Sequence, residues 1–519
     1  MSVEALRAYA EGTREALAFP GLAVAVTDRE GLVASEAFGL ANLDAGAPVT
    51  PRTSFELGSI GKTFTAVAVL QLHEEGRLHL HEPLTTYLPW FEVRSEHAPI
   101  TLHHLLTHTS GLLVGAELSG SSRYDVWALR ETETGFAPGA RWLYSNVGYR
   151  ALGFLVEDLT GMPYPQAVRR RILEPLGLEA TDAEVTNEGR GRLAVGYARG
   201  LDDRPAGRDD PWQPAPWLET ATGDGAITAT MEDLAAFLRT LMNRGDGVLT
   251  EAAFELAATP WIEADDGWSY GYGLEVRERD GRREIRHGGS MPGFGATMLG
   301  DLSSGLGVAV AVNAVDEHDL TEQVAEGLLG LFRDDLRPAV IDPLATGHAA
   351  ELAGLYVGDT GRLELVAEGG RLLLDRRERI PLEPRGAGRF YTDRAGLSLF
   401  HLDFRRENGS VVEAVHGADV YRRDGVAGAP APAPPPEWNA YTGHYRAYNP
   451  WYPTFRVVLR RGELVLIWAW GTELSLAQLE DGSFRGTDEQ PSERVRFDAV
   501  VDGKALRATV SGEAYYRVP

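Results

Sequence analysis

The stretch "ELGSIGKTF" (residues 56–64) carries the pattern on which the interpretation of this chain depends. The chain has 50 Lys and Arg residues, yet only Lys62 and Lys504 are lysines. An arginine keeps its proton at neutral pH, whereas a buried lysine can lose one. A lysine retained three residues after Ser59 therefore indicates a place where a neutral amine is needed.

Three interpretations of this stretch compete. A nucleotide-binding P-loop would need a glycine where this chain has Glu56, so the "GKT" ending alone does not support one. An ordinary helix start with a serine and a surface lysine is the plain alternative. The third is an acyl-transfer nucleophile, because residues three apart on a helix share a face and a desolvated Lys62 could take the proton of Ser59. The rarity of lysine favours the third.

The composition excludes several classes of function. The formal net charge is −25 and the isoelectric point is about 5.0, which argues against nucleic acid and anionic membranes as partners. No stretch reaches about 18 consecutive apolar residues, and the first residues lack a basic head before an apolar core. We therefore expect neither a membrane span nor a signal peptide. Cysteine is absent, which excludes disulfides and thiol catalysis and fits a cytoplasmic location.

Residues 1–340 combine strand and helix patterns. Residues 22–28 and 32–39 predict a β-hairpin, and residues 283–289 and 305–314 predict two strands that neighbour each other. Helices are predicted at 59–76, 101–108, 145–161 and 228–245. Because strands stand at both ends with helices between them, we predict one sheet built from the two termini of an α+β domain.

A repeat begins after residue 345. Three phrases recur at spacings of 89 to 95 residues: "LAGLY" (352–356) with "YTGHY" (441–445), "GRLLLDR" (370–376) with "GELVLIW" (462–468), and "GADVYRR" (417–423) with "GEAYYRV" (512–518). We predict two small antiparallel β-barrel domains, at 346–426 and 438–519, each closed on itself. A Pro/Ala-rich linker at 427–437 joins them.

Two further stretches carry chemistry. In "YSN" (144–146), a tyrosine hydroxyl can relay a proton, and an asparagine amide can bind a carbonyl and orient a lysine. In "HGGS" (287–290), glycines after a strand let a substrate approach the backbone. Each also fits an ordinary feature, a helix cap in the first case and a glycine-rich turn in the second.

Clustered histidines raise the question of a metal site; they are His79, His81, His103, His104 and His108. His104 and His108 are four residues apart, but H-E-x-x-H is absent and no carboxylate has the expected spacing. We predict no metal site, and structural hydrogen bonds of His108 within "THTSG" (107–111).

Together, the three stretches resemble the serine β-lactamase and penicillin-binding protein superfamily, in the branch of class C β-lactamases, family VIII esterases and D-aminopeptidases. S-x-x-K corresponds to Ser59–Lys62, Y-x-N to Tyr144–Asn146, and the third box to residues 287–289. The resemblance covers roughly residues 5–335. Two barrels behind a Pro-rich linker resemble the layout of bacterial D-aminopeptidases.

The resemblance implies a fold, a reaction and a site. The fold is α+β, a β-lactamase/transpeptidase-like domain with an antiparallel sheet flanked by helices and a helical subdomain, followed by two small antiparallel β-barrels. The reaction is two-step acyl transfer without metal or cofactor. Its oxyanion hole is formed by the backbone N–H groups of Ser59 and Ser290. The implied catalytic residues are Ser59, Lys62 and Tyr144, and the implied substrate-binding residues are Asn146, His287, Gly289 and Ser290.

The third box departs from the β-lactamase pattern, in which a lysine presents a fixed positive charge. His287 is largely neutral at pH 7 unless it is perturbed. This favours D-amino-acid amides or short peptides, or small esters, over β-lactams with their carboxylate. We expect a D-aminopeptidase-like hydrolase of a small-molecule or short-peptide substrate, and homo-oligomers are left open. The alternatives are a family VIII-type carboxylesterase, a class C-like β-lactamase or, in another class, a non-catalytic ligand-binding protein.

Overall fold

The computed structural model describes residues 2–115, 121–199, 203–265, 267–315, 320–386, 388–426, 432–487 and 493–519. The chain forms two compact units, one of Met1–Ala198 with Gln213–Ile341 and the other of Arg199–Trp212 with Asp342–Pro519. The finer division into a hydrolase domain and two barrel domains stays a prediction.

The described helices lie mostly in the first unit and vary from 3 to 16 residues. They are α1 (Ser2–Leu17), α2 (Gly61–Glu74), α3 (Leu102–Leu106), α4 (Ser122–Ala128), α5 (Asn146–Thr160), α6 (Tyr164–Val168), α7 (Glu174–Leu176), α8 (Met231–Met242), α9 (Glu251–Ala257), α10 (Leu320–Asp334) and α11 (Ala349–Leu352). Within the described ranges, these helices are too short or too polar to span a bilayer.

The strands before residue 313 are β1 (Gly21–Thr27), β2 (Leu32–Asn42), β3 (Ala47–Pro48), β4 (Phe55–Glu56), β5 (Tyr197–Arg199), β6 (Trp212–Pro214), β7 (Thr228–Ala229), β8 (Ile262–Glu263), β9 (Ser269–Tyr270), β10 (Glu275–Arg279), β11 (Arg282–Met291), β12 (Phe294–Asp301) and β13 (Leu306–Val312). Nine of these described strands form one sheet in the order β3-β2-β1-β13-β12-β11-β10-β9-β8.

This sheet joins the two ends of the first unit. Strand β1 is buried along its whole length and pairs antiparallel with β2 on one side and β13 on the other. The predicted sheet from both termini is therefore confirmed. The prediction that 283–289 and 305–314 neighbour each other was wrong, because β12 lies between β11 and β13.

Some helices of the first unit pack on this sheet, and others pack on one another. Helices α8 and α10 pack on β12 and β13, while α5 packs against α2, α3, α4 and α6. Ser145 caps α5, and Gly161 ends it in a left-handed conformation with φ of 69°. The packing of α2 against α5 brings the residues of these two helices, which are far apart in the sequence, close together.

The second unit contains two antiparallel sheets. The first sheet has the strands β14 (Gly354–Gly358), β15 (Gly361–Glu368), β16 (Arg371–Asp375), β17 (Arg379–Pro381), β18 (Glu383–Pro384), β19 (Phe390–Tyr391), β20 (Leu402–Glu407), β21 (Ser410–His416) and β22 (Asp419–Arg423). The second has β23 (Gly443–Arg446), β24 (Thr454–Arg460), β25 (Glu463–Trp468), β26 (Glu473–Gln478), β27 (Phe484–Gly486), β28 (Arg494–Val501), β29 (Lys504–Val510) and β30 (Glu513–Arg517).

The repeated phrases fall on corresponding strands of the two sheets. The first pair of phrases overlaps β14 and β23, the second β16 and β25, and the third β22 and β30. In each sheet, the strand that comes first in the sequence pairs with the one that comes last. The second sheet is a closed barrel. The first is nearly closed, because β17 and β18 lie at the two ends of its strand order and do not pair with each other in the described residues. This corrects the prediction that both barrels close. Residues 427–431 of the predicted linker lie outside the described residues.

Candidate active site

Ser59 lies in a tight turn that leads directly into α2. Strand β4 is followed by a 3₁₀ turn over Gly58–Ile60, and Gly58 has a φ of 51°, a conformation that favours glycine. Lys62 follows in the first turn of α2 and is fully buried. Its Nζ donates to Ser59 Oγ over 3.0 Å and to the main-chain oxygen of Asp224 over 2.7 Å. The predicted hydrogen-bond reach between Ser59 and Lys62 is therefore present.

The surroundings of Lys62 favour its neutral form. Burial lowers the pKa of Lys62 to about 7, because a charged amine is poorly solvated there. The Asp224 carboxylate acts in the opposite direction and the Arg150 guanidinium in the same one. An appreciable fraction of the amine is thus unprotonated at neutral pH.

Tyr144 lies beside this pair. Lys62 Nζ is 4.8 Å from the centre of the Tyr144 ring. Burial raises the pKa of Tyr144 well above its usual value, although a hydrogen bond with Ser59 acts against this rise. The phenol therefore keeps its proton at neutral pH and can donate it.

The Y-x-N segment is held in place by hydrogen bonds to backbone groups. Ser145 Oγ accepts from the Gly148 N–H over 3.2 Å, and the Asn146 N–H donates to the Val114 oxygen over 2.7 Å. Asn146 is the first residue of α5. The two hydrogen bonds recorded for Lys62 Nζ go to Ser59 and Asp224, so in the described residues the Asn146 amide does not orient the lysine.

His108 supports the same segment from behind. Its Nδ1 accepts from the Ser145 N–H over 3.0 Å, and its main-chain oxygen accepts from the Leu143 N–H over 2.8 Å. The prediction of bonds within residues 107–111 was wrong in its partners. The physical reason is tertiary: α3 ends beside the start of α5, so the ring meets a backbone that lies 37 residues away.

In the third box, the backbone of β11 lies against the backbone of the turn that carries Ser59. Strand β11 pairs with β10 up to Arg286 and with β12 up to Met291. A Cβ added at Gly289 would lie 1.9 Å from the Leu57 oxygen and 2.9 Å from the Ser59 nitrogen. Glycine at 289 thus allows the strand to approach the turn that carries Ser59, with Ser290 next to Gly58.

His287 is oriented differently from what a direct substrate contact needs. Its side chain is buried, with 2% of the residue exposed. Nδ1 donates to the Gly288 oxygen over 2.6 Å, and Nε2 accepts from the Tyr270 hydroxyl over 2.9 Å. Burial lowers the pKa of His287 to about 3. The ring is neutral and both nitrogens are engaged, so the geometry favours a structural role for the side chain.

Two charged residues of this site were missed from the sequence. Asp224 accepts from Lys62 through its main chain, and its carboxylate accepts from Arg150 Nε over 3.2 Å. The glycines on both sides of Asp224 signalled a close backbone approach, since a Cβ at Gly223 would lie 2.6 Å from the Tyr149 oxygen. A single arginine in the apolar run "GYRALGFLV" (148–156) signalled a buried, paired charge.

The histidine cluster has ordinary partners. His103 Nδ1 is 2.8 Å from the Tyr272 hydroxyl, and His104 Nδ1 accepts from the Thr101 N–H over 3.1 Å, as part of the cap of α3. Over the part of the chain that the structure describes, no group of three or more His, Asp or Glu side chains is arranged to hold a metal ion.

Comparisons with known proteins give a family match and several relatives of this chain. Residues 6–330, more than half of the chain, match the family described as Beta-lactamase. Penicillin-binding protein 4* of Bacillus subtilis (strain 168) is 27% identical over an alignment of 282 residues that covers 50% of this chain and 61% of that protein. The D-aminopeptidase of Gluconobacter oxydans (strain 621H) is 26% identical over an alignment of 375 residues that covers 68% of this chain and 66% of that protein. The chain thus spans three fifths to two thirds of the length of these curated relatives.

A solved structure extends the similarity beyond the family match. The octameric penicillin-binding protein homologue from Pyrococcus abyssi has a TM-score of 0.61 and 25% identity, over 81% of this chain and 100% of that chain. The chain thus shares its fold with this penicillin-binding protein homologue over 81% of its length.

Proposed function

Because this chain belongs to the beta-lactamase family, we propose that it is a serine hydrolase that forms a covalent acyl-enzyme on Ser59 and cleaves D-amino-acid amides or short peptides. The observation that carries the proposal is the buried Lys62 amine, 3.0 Å from the Ser59 hydroxyl. A neutral amine at that distance can act as a general base.

Acylation begins with a proton transfer. Neutral Lys62 takes the proton of Ser59 as Oγ attacks the substrate carbonyl carbon. The carbonyl oxygen becomes an oxyanion, which we propose is bound by the backbone N–H groups of Ser59 and Ser290. The pKa of Tyr144 lies far above neutral, so its phenol donates a proton to the leaving amine as the carbon–nitrogen bond breaks, and it regains a proton from the Lys62 ammonium.

Deacylation repeats these steps with water. A water molecule takes the place of the leaving amine, gives a proton to the Lys62 amine and attacks the acyl carbon. The bond to Ser59 Oγ then breaks, and Oγ recovers the proton. Every group used in the cycle returns to its first protonation state, so the chemistry calls for no cofactor.

The third box supports the preference for neutral or cationic substrates. A neutral, buried His287 offers no positive charge to a substrate carboxylate. A net charge of −25 over the whole chain also disfavours anions in general. D-amino-acid amides carry a cationic amino group and no free carboxylate. A D-aminopeptidase among the relatives is consistent with this class of substrate.

A substrate panel tests the proposal. Purified protein would be assayed with matched D- and L-aminoacyl p-nitroanilides, short p-nitrophenyl esters and a chromogenic β-lactam. We expect the highest kcat/KM on D-aminoacyl anilides. Ester turnover without anilide turnover would make the protein a carboxylesterase, and preferential cleavage of the β-lactam would overturn the charge argument.

The assembly state is a separate proposal. The homologue from Pyrococcus abyssi is octameric, and we propose that this chain also forms a homo-oligomer. Light scattering after size-exclusion chromatography would give the mass of the assembly, to be compared with 56.5 kDa for one chain.

The pH dependence of kcat/KM follows from the base. Only the neutral form of Lys62 can accept a proton, and its pKa is about 7. Activity should therefore rise tenfold per pH unit below about pH 7 and level off above it. A rate profile between pH 5 and 9, with a neutral substrate, would measure the midpoint. A flat profile across this range would contradict the base role.

Gly289 and Gly288 form a matched pair for the backbone contact. Gly289→Ala should lower kcat by about 100-fold or more, since its Cβ would displace the strand from Ser59 and disturb the oxyanion hole. A Cβ at Gly288 would meet no atom within 4 Å, so Gly288→Ala should stay within about threefold of wild type. Both variants would be compared at equal folded fraction, judged by thermal unfolding. Equal activities would contradict the proposed close approach.

A further inference from the structure

A buried ion chain lies behind the Ser59–Lys62 pair. The Arg150 guanidinium lies between two carboxylates, with Nη1 donating to Asp125 Oδ2 over 2.9 Å and Nε to Asp224 Oδ2 over 3.2 Å. The Arg150 side chain is 3% exposed. Asp125 belongs to α4, Arg150 to α5 and Asp224 to the loop before β7. Charges buried in this way are costly unless they are paired, so removing one disturbs the others.

One end of this ion chain, Asp224, contacts the proposed base directly. Asp224 binds Arg150 through its side chain and accepts from Lys62 Nζ through its main-chain oxygen. A neutral lysine amine has two N–H groups and one lone pair. When one N–H is directed to the Asp224 oxygen, the lone pair can be turned towards the Ser59 hydroxyl. The position of the Asp224 backbone therefore decides whether the amine can accept the serine proton.

Resting on the base role proposed above, we propose that Arg150 and Asp224 are positioning residues for Lys62. Their ion pair holds the Asp224 carbonyl against the amine, and their opposite charges balance each other there. Their side chains act on the base through the position of the Asp224 main-chain oxygen and through their charges. The loop is further confined by glycines, since a Cβ at Gly61 would lie 3.1 Å from Gly225 Cα.

Two histidines and two tyrosines among the described residues around Lys62 carry no charge at neutral pH. Burial lowers the pKa of His108 well below its usual value and that of His287 to about 3. Burial raises the pKa of Tyr144 and of Tyr149, whose rings are 4.8 Å and 5.9 Å from Lys62 Nζ. Burial also raises the pKa of Asp224, but the charges of Arg150 and Lys62 outweigh this and leave it below the usual value. Asp224 and Arg150 are thus the ionised neighbours recorded for Lys62 in the described residues.

If the charges of Arg150 and Asp224 balance each other, removing either one should shift the titration midpoint of Lys62, in opposite directions. Arg150→Met leaves the Asp224 carboxylate unopposed, which favours the ammonium and should raise the titration midpoint of Lys62 by about one pH unit or more. Asp224→Asn keeps the main-chain carbonyl and leaves Arg150 paired with Asp125, so the midpoint should fall by a similar amount. The double variant should lie close to wild type. Loosened packing would admit water and raise the midpoint in every variant.

The lysine content of the chain makes this measurable without a substrate. Incorporation of ¹³Cε-lysine would give two NMR signals, one from Lys62 and one from Lys504. Lys504 is exposed and serves as an internal reference. Arg123→Met is the matched control, because Arg123 lies two residues before Asp125 and its side chain is half exposed. That exchange should leave the Lys62 midpoint unchanged.

The outcomes separate the two proposals. The positioning role is supported if the Lys62 midpoint shifts in opposite directions in the two variants and the acid limb of kcat/KM shifts with it in each. Shifts of the same sign, or no shift, overturn it. If Arg150→Met does not fold, Asp224→Asn decides, and only a lower midpoint supports the proposal. The function itself is tested by acylation of wild-type Ser59. A Lys62 midpoint near 7 without acylation would contradict the proposed hydrolase function but not the proposed charge balance.

Discussion

Ser59→Ala should abolish hydrolysis while leaving the fold intact. The change removes one oxygen from a partly exposed side chain, and the chain has no cysteine that could replace the nucleophile. Loss of a catalytic nucleophile lowers kcat by about ten-thousand-fold or more, since only binding and the oxyanion hole then remain. The measurement is kcat on the best substrate of the panel, with contamination excluded by active-site titration.

Covalent labelling provides the complementary readout for Ser59. A fluorophosphonate should add to the wild-type protein once, on the peptide that contains Ser59, and should not add to Ser59→Ala. Equal thermal unfolding of both proteins would show that the fold is unchanged. An adduct on another residue, or turnover by the alanine variant, would remove Ser59 from the mechanism.

Lys62→Arg should be nearly as inactive as Lys62→Ala. General base catalysis contributes about 100- to 10 000-fold, and an arginine cannot lose its proton at neutral pH. The environment adds a second reason. Lys62 is fully buried between Ser59 and Asp224, and a guanidinium is larger than an amine and brings a permanent charge into that space.

The comparison of the two lysine variants is the decisive part. Both should show kcat/KM lower than wild type by at least about 100-fold, and both should lose the acid limb near pH 7. Lys504→Arg is the matched control, because it exchanges the other, exposed lysine of the chain. If Lys62→Arg retained a tenth of the wild-type rate, a loss of about 1.4 kcal/mol, the base role would be withdrawn.

Local patterns predicted much of the fold. The hairpin of β1 and β2, the helix after Ser59 and the sheet joining both termini followed from periodicity and turn residues. Strand β12 was missed because it is buried along its whole length. A strand shows alternation only when one face meets water, and "FGATMLGD" (294–301) therefore has no regular alternation that would predict it.

The repeat predicted two related β-structures, and their strands correspond. It did not predict that one sheet closes while the other stays open between β17 and β18. Closure depends on strand length and register, and short strands such as β18 and β19 carry too few residues for a sequence pattern to show their pairing.

For the candidate site, the sequence by itself determined which side chains could react. The spacing of Ser59 and Lys62, the Y-x-N arrangement and the paired glycines of β11 were all visible, because each depends on residues close together in the chain. Tertiary structure alone decided their charge states and partners. The pKa of Lys62 is about 7 because burial lowers it, with Arg150 acting in the same direction and Asp224 in the opposite one. These two residues lie 88 and 162 positions further along the chain. His287 is neutral because burial lowers its pKa, and its Nε2 accepts a hydrogen bond from the Tyr270 hydroxyl. Proton affinity follows from burial and from charges brought together by folding, and no local pattern encodes either.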